Sequence, residues 1–160
     1  NRCHVNCWPL TRPFAEAELY RQQLDDAIAQ ADNGWQPRFA LMRHACLYDT
    51  KADQQEAMNA IRKLLSQFEN LFRNTGDVVN GFPASIPLDD LEGREQYDPA
   101  MLEENLMFGS PDTVIEKLKR YQALGVNEFI YYASMGLSHA AQKRSLKMFC
   151  NKVMPEFKEG

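Results

Sequence analysis

The 160-residue sequence predicts an α/β fold with parallel strands. Three observations carry that reading. Strand-like and helix-like segments alternate along the chain. The longest strand candidate, 38–48 (RFALMRHACLY), is apolar on both faces apart from Arg43 and His44. Helix starts are marked by prolines and capping residues. A strand covered on both sides belongs in a parallel sheet, whose crossover helices lie over it.

The elements follow in order. Val5 to Leu10 is a short mixed apolar segment and the first strand candidate. Pro13 suits a helix's first turn, where its missing N–H has no intrahelical partner to lose. Ala17, Tyr20, Leu24, Ile28 and Ala31 then recur at helical spacing, and Asp32-Asn33-Gly34 ends the helix. Strand 38–48 comes next. Thr50-Lys51-Ala52-Asp53 opens a second helix, with the Thr50 hydroxyl placed to satisfy a free N–H. Ala57, Ile61, Leu64, Leu65, Phe68, Leu71 and Phe72 give that helix the strongest apolar stripe in the chain, over about six turns on the outside of the sheet.

Residues 74–99 break the rhythm with Gly76, Gly81, Gly93, Pro83, Pro87 and Pro99 and a charged run, 89–95. A stretch this long without periodicity reads as a mobile lid inserted into the domain, with a floppy surface insertion of no role as the bland alternative. Asp98-Pro99 starts a short helix through Met107. Ser110-Pro111-Asp112 starts another, with a capping serine, a first-turn proline and an acid at the positive end. Val114, Leu118 and Tyr121 face inward and Gly125 terminates it. Val126 to Ser134 is the third strand, rich in aromatic and β-branched residues. The last helix starts at Ser138, carries Leu146, Phe149, Cys150 and Val153 at helical spacing, and stops near Pro155.

Three βα units with right-handed crossovers make a thin sheet with two unpaired edges. An eight-stranded βα barrel takes about 250 residues. Residues 1–160 therefore read as one unit, the C-terminal part of a (β/α)8 TIM-type barrel with about three of its βα units. The missing initial methionine adds to the expectation of a fragment or processed piece.

Composition narrows the function classes. Hydrophobic residues make up 44% and charged ones 25%, a soluble globular balance. Eighteen basic against twenty-two acidic side chains leave −4, with no basic stripe for nucleic acid. No apolar run approaches the ~20 residues of a membrane helix, and no signal peptide opens the chain. Four cysteines (Cys3, Cys7, Cys46, Cys150) match no secreted framework, so free thiols in a reducing, cytoplasmic setting are expected. Cys3 and Cys7 on one strand would stand ~13 Å apart, too far to share a zinc ion with His44 and Cys46; no metal is expected.

The run Phe108-Gly109-Ser110-Pro111-Asp112-Thr113-Val114-Ile115, followed by Leu124-Gly125-Val126-Asn127-Glu128-Phe129-Ile130, resembles the end of the bacterial luciferase-like, flavin-dependent monooxygenases. The closing segments 145–149 (SLKMF) and 153–157 (VMPEF) fit the same ending. Arg43-His44 with Tyr48-Asp49-Thr50 is similar to the family's penultimate barrel strand. The resemblance covers nearly the whole chain and is firmest in its last fifty residues. It implies a βα barrel with reduced FMN, or in relatives a deazaflavin, at the C-terminal mouth of the strands. It also implies a dimer or other homo-oligomer, a separate flavin reductase, molecular oxygen and a small organic substrate. The segment after the seventh strand is a lid in this family, which is the place of 74–99. The first five barrel strands have no counterpart here, so this chain alone is expected to hold an incomplete site. The competing expectations are a truncated, non-catalytic relative that self-associates, and a deazaflavin-dependent hydride-transfer enzyme.

Oxygen chemistry on a reduced flavin needs a dry pocket and a closing lid, while the protein supplies placement. Barrel sites lie at the C-terminal strand ends. That rule selects Asn6 and Trp8 on the first strand, Arg43, His44 and Cys46 on the second, and Ser134 and Met135 on the third. His44 is the candidate catalytic residue, able to hold a phosphate or stabilise a flavin anion, with a core histidine as the bland alternative. Asn6, Trp8, Arg43 and Ser134 are the candidate cofactor-binding residues; Trp8 packs on the flavin ring or fills the barrel top. Arg43 and His44 alternate, so one of them must face the helices. Arg94 and Glu95 either meet an anion on closure or form a solvated charge run.

Overall fold

A computed structural model describes residues 3–7, 10–31, 33–73, 76–133 and 135–157. The elements run β1 (Cys3–Asn6), α1 (Pro13–Ala31), β2 (Arg38–Leu47), α2 (Lys51–Arg73), a hairpin of β3 (Val78–Val79) and β4 (Phe82–Pro83), two 3-10 turns (Leu88–Leu91 and Glu95–Tyr97), α3 (Pro99–Asn105), β5 (Met107–Gly109), α4 (Pro111–Ala123), β6 (Glu128–Tyr132) and α5 (His139–Met148). A π-helical turn (Phe149–Val153) and a 3-10 turn (Met154–Phe157) follow α5.

The fold is α/β with a parallel sheet centred on β2. β1 pairs with β2 from Cys3↔Arg38 to Asn6↔Leu41, and β6 pairs with it from Ala40↔Glu128 to His44↔Tyr132. Ala40 and Leu41 have partners in both, so β1 and β6 lie on opposite edges of β2. The C-terminal residues of β2 pair with β5, Ala45↔Met107 to Leu47↔Gly109.

Strand β5 corrects the sequence reading, which carried the short helix through Met107. Three residues are too few to show a period of two, and their pairing partner lies some sixty positions upstream. The first strand is also shifted. It spans Cys3–Asn6 rather than starting at Val5, and it ends where the Asn6 carbonyl accepts from the Arg43 guanidinium.

The helix starts follow the expected capping. Thr50 Oγ1 accepts from the Asp53 N–H at 3.1 Å, Ser110 Oγ from Thr113 at 3.2 Å and Ser138 Oγ from Ala141 at 3.3 Å. Asp98 likewise caps α3 through the Met101 N–H.

Alternation along β2 separates two cores. Phe39, Leu41, Ala45 and Leu47 pack with Ala17 and Leu24 of α1, Val114, Leu118 and Tyr121 of α4, and Phe149 and Val153 after α5. Ser145 ties α5 to this side, accepting from the Leu47 N–H at 2.6 Å and meeting Tyr131 Oη at 2.6 Å. On the other face, Cys46 and Tyr48 join Ala57, Met58, Ile61 and Leu65 of α2 with Leu91, Tyr97, Leu102, Leu106, Phe108, Met135 and Leu137. The stripe of α2 is thus buried mainly against 86–106 rather than along the sheet, and its expected last members, Leu71 and Phe72, are exposed. In the closing helical segment Phe149 and Val153 are buried, while Leu146 and Cys150 face solvent. Towards its N-terminal half, this second sheet face opens: Val5 is 43% and Ile130 39% exposed.

Candidate functional site

Position on β2 decides what each candidate side chain meets. Arg43 falls on the helix-covered face. It is buried there without a carboxylate partner among the described residues, and Nη1 donates to the carbonyls of Asn6 at 2.8 Å and Met42 at 2.9 Å. Nη2 donates to Asn6 Oδ1 at 2.5 Å and to the Pro13 carbonyl at 3.4 Å, and the guanidinium lies 5.8 Å from the Tyr121 ring centre. Burial lowers the Arg43 pKa, while Tyr121 opposes the fall. Asn6 shares this face, so Asn6 and Arg43 are each other's partners under the first turn of α1.

His44 occupies the opposite face. Its imidazole stacks on Tyr132, with ring centres 4.5 Å apart and planes inclined by 27°. The residue is 8% exposed, and Nδ1 is buried with no hydrogen-bond partner among the described residues. Burial pushes its pKa down to about 4, so the ring is neutral at ordinary pH. A neutral imidazole can donate from one nitrogen and accept at the other. Trp8 and Ser134 lie outside the described residues. Cys46 and Met135 are packed into the second core, where burial raises the Cys46 thiol to about 11.

A cleft of about 520 Å³ opens at the C-terminal ends of β2 and β5, between the first turns of α2 and α4. Tyr48 Oη donates to Glu103 Oε1 at 2.5 Å, and Gln54 Nε2 donates to both Glu103 oxygens at 2.9 and 3.0 Å. Lys117 donates to the carbonyls of Glu103, Leu106 and Phe108. Burial, with Glu103 adding to it, raises the Tyr48 hydroxyl well above its usual range, and burial lowers Lys117. Sequence reasoning assigned these residues no role. Tyr48 stood in a noted motif, but Glu103 reaches it from fifty-five positions away and left no local signal.

In the 74–99 segment, Arg94 donates to Glu69 at 2.7 Å, and Tyr97 Oη donates to the same carboxylate at 3.1 Å. The Arg94 charge is therefore engaged by α2. Ile86 and Leu88 pack on the second core, while Phe82 is 75% exposed. All four cysteines are free thiols. Among the described residues no three His, Cys, Asp or Glu side chains converge as a metal site, and no helix is long and apolar enough to cross a membrane.

Over 159 residues, 99% of its length, the chain is 28% identical to the oxygenase component of the flavin-dependent trigonelline monooxygenase of Acinetobacter baylyi. The chain is a relative of a flavin-dependent monooxygenase. It spans 44% of that protein's length, and no family model matches it. The relationship bears out the resemblance read from the sequence. The side chains present suit a planar heteroaromatic group in two respects: the open sheet face carries exposed aliphatic surface at Val5 and Ile130, and His44 holds a buried nitrogen without a partner among the described residues.

Proposed function

We propose that this chain is the C-terminal part of a luciferase-like barrel that uses reduced FMN and molecular oxygen to oxygenate a small organic substrate. The observation that carries the proposal is the relationship to an oxygenase component across nearly the whole chain. The parallel sheet supports it, because the C-terminal ends of its strands are where a βα barrel keeps its ligand. An oxygenase component also accounts for a separate reductase as the source of reduced flavin, and for a cytoplasmic setting that keeps the four thiols reduced.

In this reading the inner face of β2 and β6 is turned to the flavin, which supplies the redox chemistry when bound. His44, kept neutral by burial, offers a ring nitrogen to a polar edge of the cofactor. Trp8 and Ser134 contribute the contacts assigned to them from the sequence. Asn6 and Arg43 serve the cofactor at one remove, by tying β1 to β2 beside His44. Further strands complete the barrel beside β1 and β6, and copies of the whole protein associate. The hairpin within 74–99 is the moving part of the lid, since Leu91 and Tyr97 are held in the second core.

Anaerobic titration of the full-length protein with reduced FMN and with a reduced deazaflavin tests the proposal. Tight, saturable binding of reduced FMN, followed by incorporation of one atom of labelled oxygen into an organic product, is expected. Preference for deazaflavin without oxygen incorporation would establish hydride transfer instead. Binding of neither would leave the non-catalytic relative.

A further inference from the structure

His44 and Tyr132 are direct register partners on β2 and β6, so their side chains rise side by side from one face of the sheet. The preceding pair on that face, Met42 and Ile130, is aliphatic. A histidine in a working site is ordinarily oriented through a hydrogen bond from its second ring nitrogen to a carbonyl or carboxylate. His44 makes no side-chain hydrogen bond to the described residues, and its Nδ1 is buried with no partner among them. No second ring among the described residues stacks on it. Ring contact therefore stands where a second-nitrogen hydrogen bond usually would.

We propose that Tyr132 is the positioning residue for His44: its ring sets the plane of the imidazole and so aims the two ring nitrogens. The inference rests on the reading of this face as the cofactor face, and it adds a residue that neither motif nor composition indicates. The stack needs an aromatic face and not the phenol hydroxyl, for which no hydrogen-bond partner appears among the described residues. Phenylalanine should therefore replace Tyr132, and leucine, apolar but without a ring, should not. Offset aromatic pairs contribute about 0.5–1.5 kcal/mol beyond their area burial.

In ring-nitrogen NMR of the full-length protein, His44 is assigned by the loss of its signals in His44→Gln. The His44 ring protons are expected upfield in the wild type and in Tyr132→Phe, with direct contacts to the aromatic ring at position 132. In Tyr132→Leu the upfield displacement should vanish. Reduced-FMN affinity of the full-length protein should then fall by about twofold to twelvefold, and be unchanged in Tyr132→Phe. Unmoved His44 signals in Tyr132→Leu would overturn the inference. If that variant fails to fold, the absence of ring contacts and upfield displacement in the wild type would do the same. Displaced His44 signals in Tyr132→Leu, with FMN affinity unchanged in both that variant and His44→Gln, would leave only the ring contact standing and overturn the cofactor-face reading. Reduced affinity in His44→Gln with static His44 signals in Tyr132→Leu would have the opposite consequence.

Discussion

Asn70 donates to the Ala84 carbonyl at 3.0 Å across fourteen residues of chain, closing the base of the β3–β4 hairpin. The same amide donates to the Asp77 carbonyl at 2.8 Å, while Oδ1 accepts from the Gly76 N–H at 2.8 Å. A Cβ on Gly76 would stand 3.1 Å from the Asn70 side chain, so glycine lets the chain pass that close. Asn70 is 2% exposed, and its removal takes a partner from three backbone groups, of which the Asp77 carbonyl alone keeps another, the Ala84 N–H at 2.9 Å. Asn70→Ala should cost about 2–3 kcal/mol in urea unfolding. Limited proteolysis read by mass spectrometry should cut the wild type only within 77–84 and the variant faster and more widely. Equal cleavage of 86–98 in the wild type would show that this part is not held.

Arg43 is a buried cation whose partners are neutral: both oxygens of Asn6 and two further carbonyls. Hydrogen bonds to charged groups contribute more than neutral ones, and an orphaned buried acceptor is costly. Arg43→Met should destabilise by about 3 kcal/mol, and Arg43→Lys by nearly as much, since one ammonium cannot reproduce the fork. Chemical denaturation of both variants checks this. A stable Arg43→Met protein would mean that desolvation of the cation outweighs its hydrogen bonds.

What the sequence disclosed is what local chemistry encodes. Ser110-Pro111 and Thr50-x-x-Asp53 announce their helices because capping is settled within four residues. The β3–β4 hairpin escaped the reading of 74–99 as one aperiodic lid: Asn80-Gly81 adopts the paired left-handed conformation (φ 51° and 82°) that this dipeptide favours, but the surrounding prolines and glycines concealed it. The candidate site was half legible. Alternation required Arg43 and His44 to part company, yet only the packing of α1 and α4 decides which of them meets helices. Tyr132 could not be foreseen as a partner of His44, because register between β2 and β6 is a long-range property. The burial of α2 against 86–106 was hidden for the same reason: an apolar stripe states that a face is covered and not by what.

Titration of His44 should appear in the stability of the chain. The folded state holds it neutral down to about pH 4, whereas the unfolded chain takes up the proton near 6.5. Between those values the unfolded state binds more protons, so folding stability rises with pH in that window and is lost as pH falls from 6.5 towards 4. The full effect is on the order of 3 kcal/mol. Urea midpoints measured from pH 7.5 to 4.5 should fall in the wild type and fall less in His44→Leu. Parallel curves would show that another group carries the dependence.

Among the described residues, β1 and β6 each pair only with β2, leaving an outer edge open on either side. The sheet face beside those edges that α1 and α4 leave uncovered carries Val5 and Ile130, both more than a third exposed. Open edges and apolar surface of this kind are templates for pairing with more polypeptide. The 160-residue chain by itself should therefore associate as its concentration rises, through edge pairing or burial of this face. Val5→Lys with Ile130→Lys places charge on that face without touching either main core, and should shift sedimentation profiles towards the monomer with the circular dichroism spectrum unchanged. A wild-type chain that sediments as a monomer across the accessible concentration range would show that the exposed edges are tolerated in water, and would remove the physical reason for expecting further strands beside them.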